Sequence, residues 1–274
     1  FGGKLRYHQF AVGGFGFDQV GSAVVTSTEN SGWWPSLTYD GSAPKITSYD
    51  QESDGIDFHY RDITNWHTRA VDTQGFTGSF PSIAINPITG RPAIAYFVRD
   101  TDDLRFAQEV AGGNWVVTTL DSVGSVGEYV SLTFDPADGN PVVAYTQSTN
   151  GDLKLAWFNG FKWQNQIVDS VGRVGWTPSL TFADDGRLAV AYMSDSTTSG
   201  NLYYRQGSRV ATVPGDYNFS GAVNAADYVV WRKGAISNSQ ANYENWRRHF
   251  GVSVGAGSGA NPAVPEPTSI MLSL

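Results

Sequence analysis

The chain has 274 residues, of which 41% are hydrophobic, 14% are aromatic and only 16% are charged, a composition that excludes wholesale disorder. Its net charge of -8, from 18 basic and 26 acidic residues, disfavours binding to phosphate backbones, so no nucleic-acid partner is expected. Cysteine is absent, which excludes disulfides, thiol catalysis and thiolate zinc sites.

One pattern repeats along the chain: an apolar strand, a turn rich in Asp, Gly and Pro, and a second apolar strand. Serines near the start of the pattern are 46, 49 and 48 residues apart, at Ser36, Ser82, Ser131 and Ser179. An alternating third strand follows in each unit, and a fourth follows in three units, as in NWVVTTLD. Four short strands in roughly 40 to 50 residues are typical of a propeller blade.

We therefore predict an all-β fold over residues 1–213, a partial β-propeller with at least four and a half four-stranded blades. The strand pattern in KLRYHQ indicates that residues 1–28 form the outer half of a blade whose inner strands are expected upstream of Phe1. The full blades are predicted at about 29–75, 76–124, 125–172 and 173–213. An open sandwich or a solenoid of β-hairpins is the alternative architecture.

Segments such as SLTFDPADGNPVVAYTQSTNGDLKLAWF resemble the repeats of bacterial secreted proteins that are regarded as propellers. The resemblance covers residues 1 to about 213. It implies a scaffold, and a scaffold does not settle function.

Large aromatic residues recur just before the first strand of each full blade, at Trp33, Trp34, Phe80, Tyr129 and Trp176. In a propeller the connections into the first strands meet at one rim of the central channel. Sugars stack on flat rings, so these residues are predicted to form a ligand-binding surface, with Glu128 and Arg173 nearby as polar contacts. The alternative is that the rings wedge between blades.

No catalytic residue is assigned. Acidic residues recur in the turns between strands, where side-chain bonding to the backbone accounts for them, at Asp135, Asp138, Asp184 and Asp185. The first functional hypothesis is non-catalytic binding or display, with a polysaccharide or another matrix component as ligand. A polysaccharide-degrading hydrolase or lyase is one alternative, and a purely structural surface protein is another.

A candidate calcium loop follows Pro214. Side-chain oxygens stand at positions 1, 3, 5, 9 and 12 of a twelve-residue loop, at Asp216, Asn218, Ser220, Asn224 and Asp227. Gly221 permits the sharp turn at position 6, and the carbonyl of Ala222 is the ligand at position 7. Only two ligands are carboxylates, which predicts weak Ca²⁺ binding, with Kd roughly 10⁻⁴ to 10⁻³ M. An Asx-rich turn that caps a helix without metal is the alternative.

Residues 214–251 resemble a dockerin of type I, a small helical module built from two loop-helix repeats. ADYVVWRKG predicts a short helix after the calcium loop, and ANYENWRRHFG predicts a second one. The intervening AISNSQ supplies no carboxylate, so a single metal site is expected. The resemblance implies a cohesin-like protein partner.

The C-terminal residues have the composition of a linker and a signal. Residues 252–264 are rich in Gly, Ala and Ser, which predicts a flexible linker. Residues 265–274 begin with Pro-Glu-Pro and resemble a truncated PEP-CTERM sorting motif. The resemblance implies an exosortase-type sorting enzyme and an extracellular or cell-surface location.

Overall fold

The computed structural model describes residues 4–13, 16–26, 29–194, 200–207, 215–217, 222–233 and 239–253. The chain divides into two compact units, Phe1–Gly207 and Ser208–Leu274. Most of the predicted linker and the whole predicted sorting tail lie outside the described residues. Within the described ranges, no helix has the length and apolarity that crossing a bilayer requires.

The first unit consists of five antiparallel sheets that follow one another along the chain. The first sheet has two strands, β1 (Arg6–Gly13) and β2 (Gly16–Val24). The second sheet contains β3 (Ser31–Tyr39), β4 (Pro44–Asp50), β5 (Gly55–Arg61) and β6 (Trp66–Asp72). Each strand pairs with the next one in sequence, because short turns connect them.

The next two sheets repeat this four-stranded order. They contain β7 (Thr77–Ile85), β8 (Pro92–Val98), β9 (Asp103–Glu109) and β10 (Trp115–Asp121), then β11 (Val126–Phe134), β12 (Pro141–Gln147), β13 (Asp152–Phe158) and β14 (Trp163–Asp169). The fifth sheet has three strands within the described residues, β15 (Trp176–Phe182), β16 (Leu188–Met193) and β17 (Leu202–Gly207).

Acidic residues close the turns, as the sequence predicts. The side chain of Asp135 accepts a hydrogen bond from the Ala137 amide at 2.8 Å, and that of Asp185 accepts one from the Arg187 amide at 3.1 Å. Such local bonds satisfy turn backbone that no strand pairs with.

Successive sheets are joined through the serines of their first strands. The hydroxyl of Ser36 accepts a hydrogen bond from the Ile83 amide on the neighbouring first strand, at 3.2 Å. The same contact recurs from Leu132 to Ser82 at 3.0 Å and from Leu180 to Ser131 at 2.9 Å. The spacing of the serines in the sequence therefore matches the spacing of the hydrogen bonds that join successive sheets.

A glycine near the start of each of these first strands packs on the preceding sheet. A Cβ added to these glycines would meet the neighbouring residue at 2.6 to 2.9 Å, with the pairs Gly32–Leu5, Gly78–Ile56, Gly127–Leu104 and Gly175–Leu153. All four glycines have positive φ, so no other residue fits without strain. Leu5 therefore lies where a third strand begins, and β1 and β2 stand in the places of third and fourth strands.

The core lies between the sheets. Every residue of β8 and of β12 is buried, because each of these second strands is covered on both faces. One hydrophobic cluster joins β8 and β9 to β11, β12 and β13, with Phe106, Phe134 and Tyr145 among its members. The predicted all-β, propeller-like succession of sheets is confirmed, and face-to-face packing of five sheets is not the arrangement of a two-sheet sandwich.

Each neighbouring pair among the last four sheets is also held by an inter-sheet clasp. We use this term for a carboxylate at the end of one sheet's fourth strand that binds a tyrosine and a cation of the next sheet. Asp72 accepts hydrogen bonds from the Tyr96 hydroxyl at 2.8 Å and from Arg105 at 2.9 Å. The other clasps are Asp121 with Tyr145 and Lys154, and Asp169 with Tyr192 and Arg205.

The clasp at Asp121 is the most buried of the three. The side chains of Asp121 and Lys154 are 1% and 9% exposed. Burial acts to raise the pKa of Asp121, but hydrogen bonds from Lys154 and Tyr145 outweigh it and hold this pKa below its usual range. The carboxylate is therefore charged and paired in the folded protein.

The sheet of β3 to β6 carries different residues at the clasp position. Ser48 lies opposite Asp57, where the next sheet has Tyr96 opposite Arg105. Asp57 is 7% exposed. Burial, and then the charge of Asp50, raise the pKa of Asp57 to about 7. This sheet thus buries an acid where the next sheet has the half-buried cation Arg105.

The second unit contains two helices over the segments for which the sequence predicts them, α1 (Ala225–Arg232) and α2 (Gln240–His249). Asn224 caps α1, because its side chain accepts a hydrogen bond from the Ala226 amide at 2.8 Å. The rings that pack the helices together are Tyr228, Trp231, Tyr243, Trp246 and Phe250.

Candidate functional site: an aromatic arc on the first strands

The five aromatic residues predicted from the sequence lie in one continuous row of ring contacts. Their centroids are 6.2 Å apart for Trp33–Trp34, 5.0 Å for Trp34–Phe80, 4.6 Å for Phe80–Tyr129 and 5.3 Å for Tyr129–Trp176. All of these pairs are tilted, a geometry that aromatic rings favour over a face-to-face sandwich. We call these five residues the aromatic arc.

The arc arises from a motif of five residues that occurs once in each first strand from β3 to β15. A glycine is followed by any residue, by an aromatic residue or threonine, by Pro or Val, and by the serine that joins the sheets. The third residue has positive φ, with values of 47° at Trp34, 52° at Phe80, 49° at Tyr129 and 45° at Thr177. This conformation is uncommon for bulky side chains.

The structure corrects the predicted location of the rings in two respects. The sequence placed them in the connections before the first strands, whereas they lie inside those strands, where the strand pairing shifts register. Trp176 is the second residue of its motif, the place of Trp33, and Thr177 has the place of the other rings. The last ring of the arc, that of Trp176, therefore comes from the second position of the motif, whereas Trp34, Phe80 and Tyr129 come from the third position.

The arc is partly open to solvent. Trp33 is 42% exposed, and the other four rings are half-buried. Rings of adjacent sheets contact one another, as the alternative interpretation predicts, in which the rings wedge between blades. Half-burial leaves the remaining surface of each ring available, so the two interpretations are compatible.

Further side chains that the sequence did not single out extend the arc at Trp34. Tyr49 lies 5.6 Å from the Trp34 ring, and Phe76 lies 5.1 Å from Tyr49. The exposed guanidinium of Arg99 lies 5.7 Å from the centre of Trp34 and 5.2 Å from that of Phe76. A cation held over aromatic faces keeps its outer N–H groups available as donors.

Polar groups also stand at the other end of the arc. Glu128, the second residue of its motif, accepts a hydrogen bond from the Ser148 hydroxyl at 2.7 Å. The indole Nε1 of Trp176 is buried and lacks a hydrogen-bond partner among the described residues. The same holds for the indole Nε1 atoms of Trp66 and Trp115, which are not part of the arc, so this feature does not distinguish the arc from the rest of the unit.

The predicted calcium loop is described in part. Asn218 and Ser220 lie outside the described residues. Asp216 and Asp227 are buried, at 6% and 0% exposure. The Asp227 carboxylate accepts a hydrogen bond from the Asn224 amide at 2.7 Å, which completes the helix cap.

Two observations bear on metal binding by this loop. The Asn224 side chain donates a hydrogen bond to the Ala222 carbonyl at 3.1 Å, so the positions 7 and 9 are in contact. In the part of the chain that the structure describes, no three His, Cys, Asp or Glu side chains form a metal-binding group. The predicted set relies instead on amide, hydroxyl and carbonyl oxygens beside its two carboxylates.

The sequence matches no protein-family model, and it matches no curated protein sequence. Among solved structures, one of unknown function from Dyadobacter fermentans is similar at TM-score 0.48 and 13% identity, over 72% of this chain and 66% of that one. An exo-β-1,3-galactanase from Phanerochaete chrysosporium gives TM-score 0.46 and 9% identity over 68% and 52%. An α-L-arabinofuranosidase from Fusarium graminearum gives 0.47 and 14% over 65% and 62%. The chain spans less than two thirds of each of these proteins.

Proposed function

We propose that the protein binds polysaccharide, or another matrix component with exposed sugars, on the aromatic arc, without catalysis, at the cell surface or outside the cell. The observation that carries this proposal is the continuous row of five half-open rings from Trp33 to Trp176. Such a row offers several stacking positions to one extended ligand.

The chemistry of the surface suits a sugar chain. Pyranose rings have apolar C–H faces that pack on aromatic rings and hydroxyls at their edges that need hydrogen-bond partners. Arg99 at one end offers donors, and Glu128 at the other offers a carboxylate acceptor. Positive φ at Trp34, Phe80 and Tyr129 supports the same function, because strained residues concentrate at binding sites.

Removing a ring from the arc is expected to weaken glycan binding about tenfold or more. The full chain is applied to a glycan array and to immobilised xylan, pectin and β-glucan, and retention is compared with that of Trp34→Ala and Trp176→Ala. The loss follows from lost stacking area, and a tenfold change corresponds to about 1.4 kcal/mol. Trp34→Phe keeps a flat ring and should keep most of the binding.

The control is Tyr204→Ala, which removes a 58% exposed aromatic residue that is not part of the arc. Equal loss of binding in the control would contradict the arc as the site. So would failure of the unmodified protein to bind any glycan, and sugar release from a polysaccharide would favour the hydrolase instead.

We also propose that the segment from Asp216 to Asp227 binds one Ca²⁺. Oxygen-bearing residues at positions 1, 3, 5, 9 and 12 of a twelve-residue loop support this proposal, as does the presence of two carboxylates, those of Asp216 and Asp227, in the set. The side chain of Asn224 already caps α1, and the ligand at this loop position often binds the metal through water. Metal binding and capping are therefore compatible here.

Calorimetric titration of the full chain with CaCl₂ is expected to show one weak site, with Kd roughly 10⁻⁴ to 10⁻³ M. At a calcium concentration tenfold above Kd, the second unit should gain about 1.4 kcal/mol of stability. Asp216→Ala should abolish both effects, whereas Glu244→Gln, which changes a carboxylate of α2, should change neither. Absence of heat at millimolar calcium would refute the site.

The remaining proposals concern partners and location. The helix pair of the second unit supports a dockerin-like contact with a cohesin-like protein, through the sequence resemblance of residues 214–251. The Pro-Glu-Pro motif, outside the described residues, supports recognition by an exosortase-type sorting enzyme. Both fit a protein displayed at the cell surface, where calcium is plentiful.

A further inference from the structure

Arg99 directly follows β8 and lies beside the arc at Trp34. Its guanidinium carbon is 5.7 Å from the centre of the Trp34 ring and 5.2 Å from that of Phe76, and the residue is exposed. Arg99 forms no ion pair with any residue that the structure describes. Its charge is therefore available to an anionic group of a ligand.

The architecture of the sheets does not require a cation at this place. The residues that follow the second strands β4 and β12 are Gln51 and Ser148, which are both neutral. In all three sheets the amide at this position donates to the carbonyl of the residue just before the first strand, at 3.1 Å for Gln51, 2.9 Å for Arg99 and 2.9 Å for Ser148. Joining the strands therefore does not explain the charge of Arg99.

The ring under the guanidinium is also particular to this sheet. Phe76 takes the place that Ser125 has in the next sheet. The Asp100 carboxylate accepts a hydrogen bond from the Phe76 amide at 2.8 Å. In the next sheet the Thr149 hydroxyl accepts one from the Ser125 amide, also at 2.8 Å. Asp100 thus makes a structural contact that a neutral residue makes elsewhere, whereas Phe76 and Arg99 together form a feature that the sheet of β11 to β14 lacks.

We infer that Arg99 binds the carboxylate of a uronic acid, so that the arc prefers an acidic polysaccharide to its neutral counterpart, an inference that rests on the glycan binding proposed above. A guanidinium is planar, stays charged and presents parallel N–H donors that match the two oxygens of a carboxylate. Contact with two rings holds its plane, so less side-chain entropy is lost when the ligand binds. The adjoining rings of Trp33 and Phe80 offer stacking positions to the sugars of the same chain.

A general attraction of polyanions does not account for such a preference. The chain has a net charge of -8, so its surface as a whole repels an acidic polysaccharide. Glu128, at the other end of the arc, accepts a hydrogen bond from Ser148 and suits a sugar hydroxyl rather than a second carboxylate. A preference for the acid would therefore report a specific contact, and we assign that contact to the end of the arc at Arg99.

The test measures calorimetric binding of the full chain, at neutral pH, to oligomers of polygalacturonate and of alginate, each as the free acid and as its methyl ester. The ester keeps the sugar rings and removes the charge. We expect an acid to bind tenfold or more tightly than its ester. Arg99→Gln keeps N–H donors without the charge and should bring this ratio close to one. Arg99→Lys keeps the charge without the planar fork and should give an intermediate ratio.

Arg91→Gln is the matched control. Arg91 is exposed and lies just before β8, whereas Arg99 lies just after it, so the control makes the same change in net charge at the opposite end of the strand. The control should keep the ratio of the unmodified protein, and an equal loss of the ratio in both variants would overturn the inference. Equal affinity for acids and esters, with binding that Trp34→Ala still weakens, would overturn the inference and leave the proposed function intact. Failure to bind any glycan would overturn both.

Discussion

Replacing Asp121 by alanine is expected to lower the free energy of unfolding by about 3 to 5 kcal/mol. The variant leaves the ammonium of Lys154 nearly buried without its carboxylate, and it leaves the Tyr145 hydroxyl without its acceptor. The Lys154 side chain is 9% exposed and Tyr145 is 0% exposed, so water cannot replace the lost partner of either group. Urea unfolding at neutral pH, followed by circular dichroism, measures the change.

The double variant Asp121→Leu with Lys154→Met tests the physical cause. It removes both charges together and fills the space with apolar side chains, so it should lose much less stability than the single variant. The exposed pair Arg187–Asp185, with both side chains 50% exposed, is the second control, and Asp185→Ala should change stability by less than about 1 kcal/mol. Equal losses at Asp121 and Asp185 would contradict the role of the clasp.

The contribution of Asp57 to stability is expected to fall as pH rises from about 4 to about 7. Its pKa is near 7 in the folded protein and close to 4 in the unfolded chain, so the folded state holds the proton through this window. The contribution of Asp57 to stability is complete below about pH 4 and is lost as its carboxyl group ionises near pH 7. The full difference is on the order of 4 kcal/mol.

The groups around Asp57, which are Asp50 and His59, do not stabilise its ionised form. Asp50 adds a like charge. His59 is buried between Ser48 and Thr68, and burial lowers its pKa to about 4, so the ring is neutral when Asp57 ionises near pH 7. The contribution of His59 to stability rises between about pH 4 and 6.5 and opposes that of Asp57 over this range, so the effect of Asp57 is measured as the difference between the unmodified protein and Asp57→Asn. Asp57→Asn should therefore remove this part of the pH dependence and stabilise the protein at pH 8.

Unfolding free energies at pH 5 and pH 8 distinguish the ionisation of Asp57 from a general charge effect. Glu29→Gln also removes one carboxyl group, but from an exposed residue, so it should leave the pH dependence of stability unchanged. If Asp57→Asn and Glu29→Gln gave the same profile as the unmodified protein, ionisation of Asp57 would not control stability.

Much of the first unit could be predicted from local pattern. The spacing of Ser36, Ser82 and Ser131 indicated the repeat, and the structure explains why, because these hydroxyls join neighbouring first strands. The uninterrupted apolar runs AIAYF in β8 and VVAYT in β12 are typical of strands that are covered on both faces, and every residue of both strands is buried. These features depend on residues close in sequence, or on strict repetition.

Contacts between different repeats were harder to predict. The clasp residues Asp121 and Lys154 belong to different sheets, and nothing local to either residue indicates the other. The place of Trp176 was predicted one position away because aromatic character was compared without the glycine and serine that frame each motif. Counting from Gly175 and Ser179 would have placed Thr177 beside the other third residues.

In the second unit, too, a local feature could be predicted from the sequence and a contact between elements could not. Capping by Asn224 could be predicted from an Asx residue before an apolar run, and it is present. Packing of Tyr228 against Trp246 depends on how α1 and α2 meet. Spacing within either helix does not specify that contact.

NMR of the full chain with ¹³C-labelled aromatic rings can show whether the aromatic arc is the glycan-binding surface. The chain is titrated with the glycan that the array retains most strongly. If the arc binds the glycan, the largest shifts should occur at Trp34, Phe80, Tyr129 and Trp176. Saturation of the glycan with shifts confined to rings outside the arc, such as Trp115 and Trp163, would contradict it.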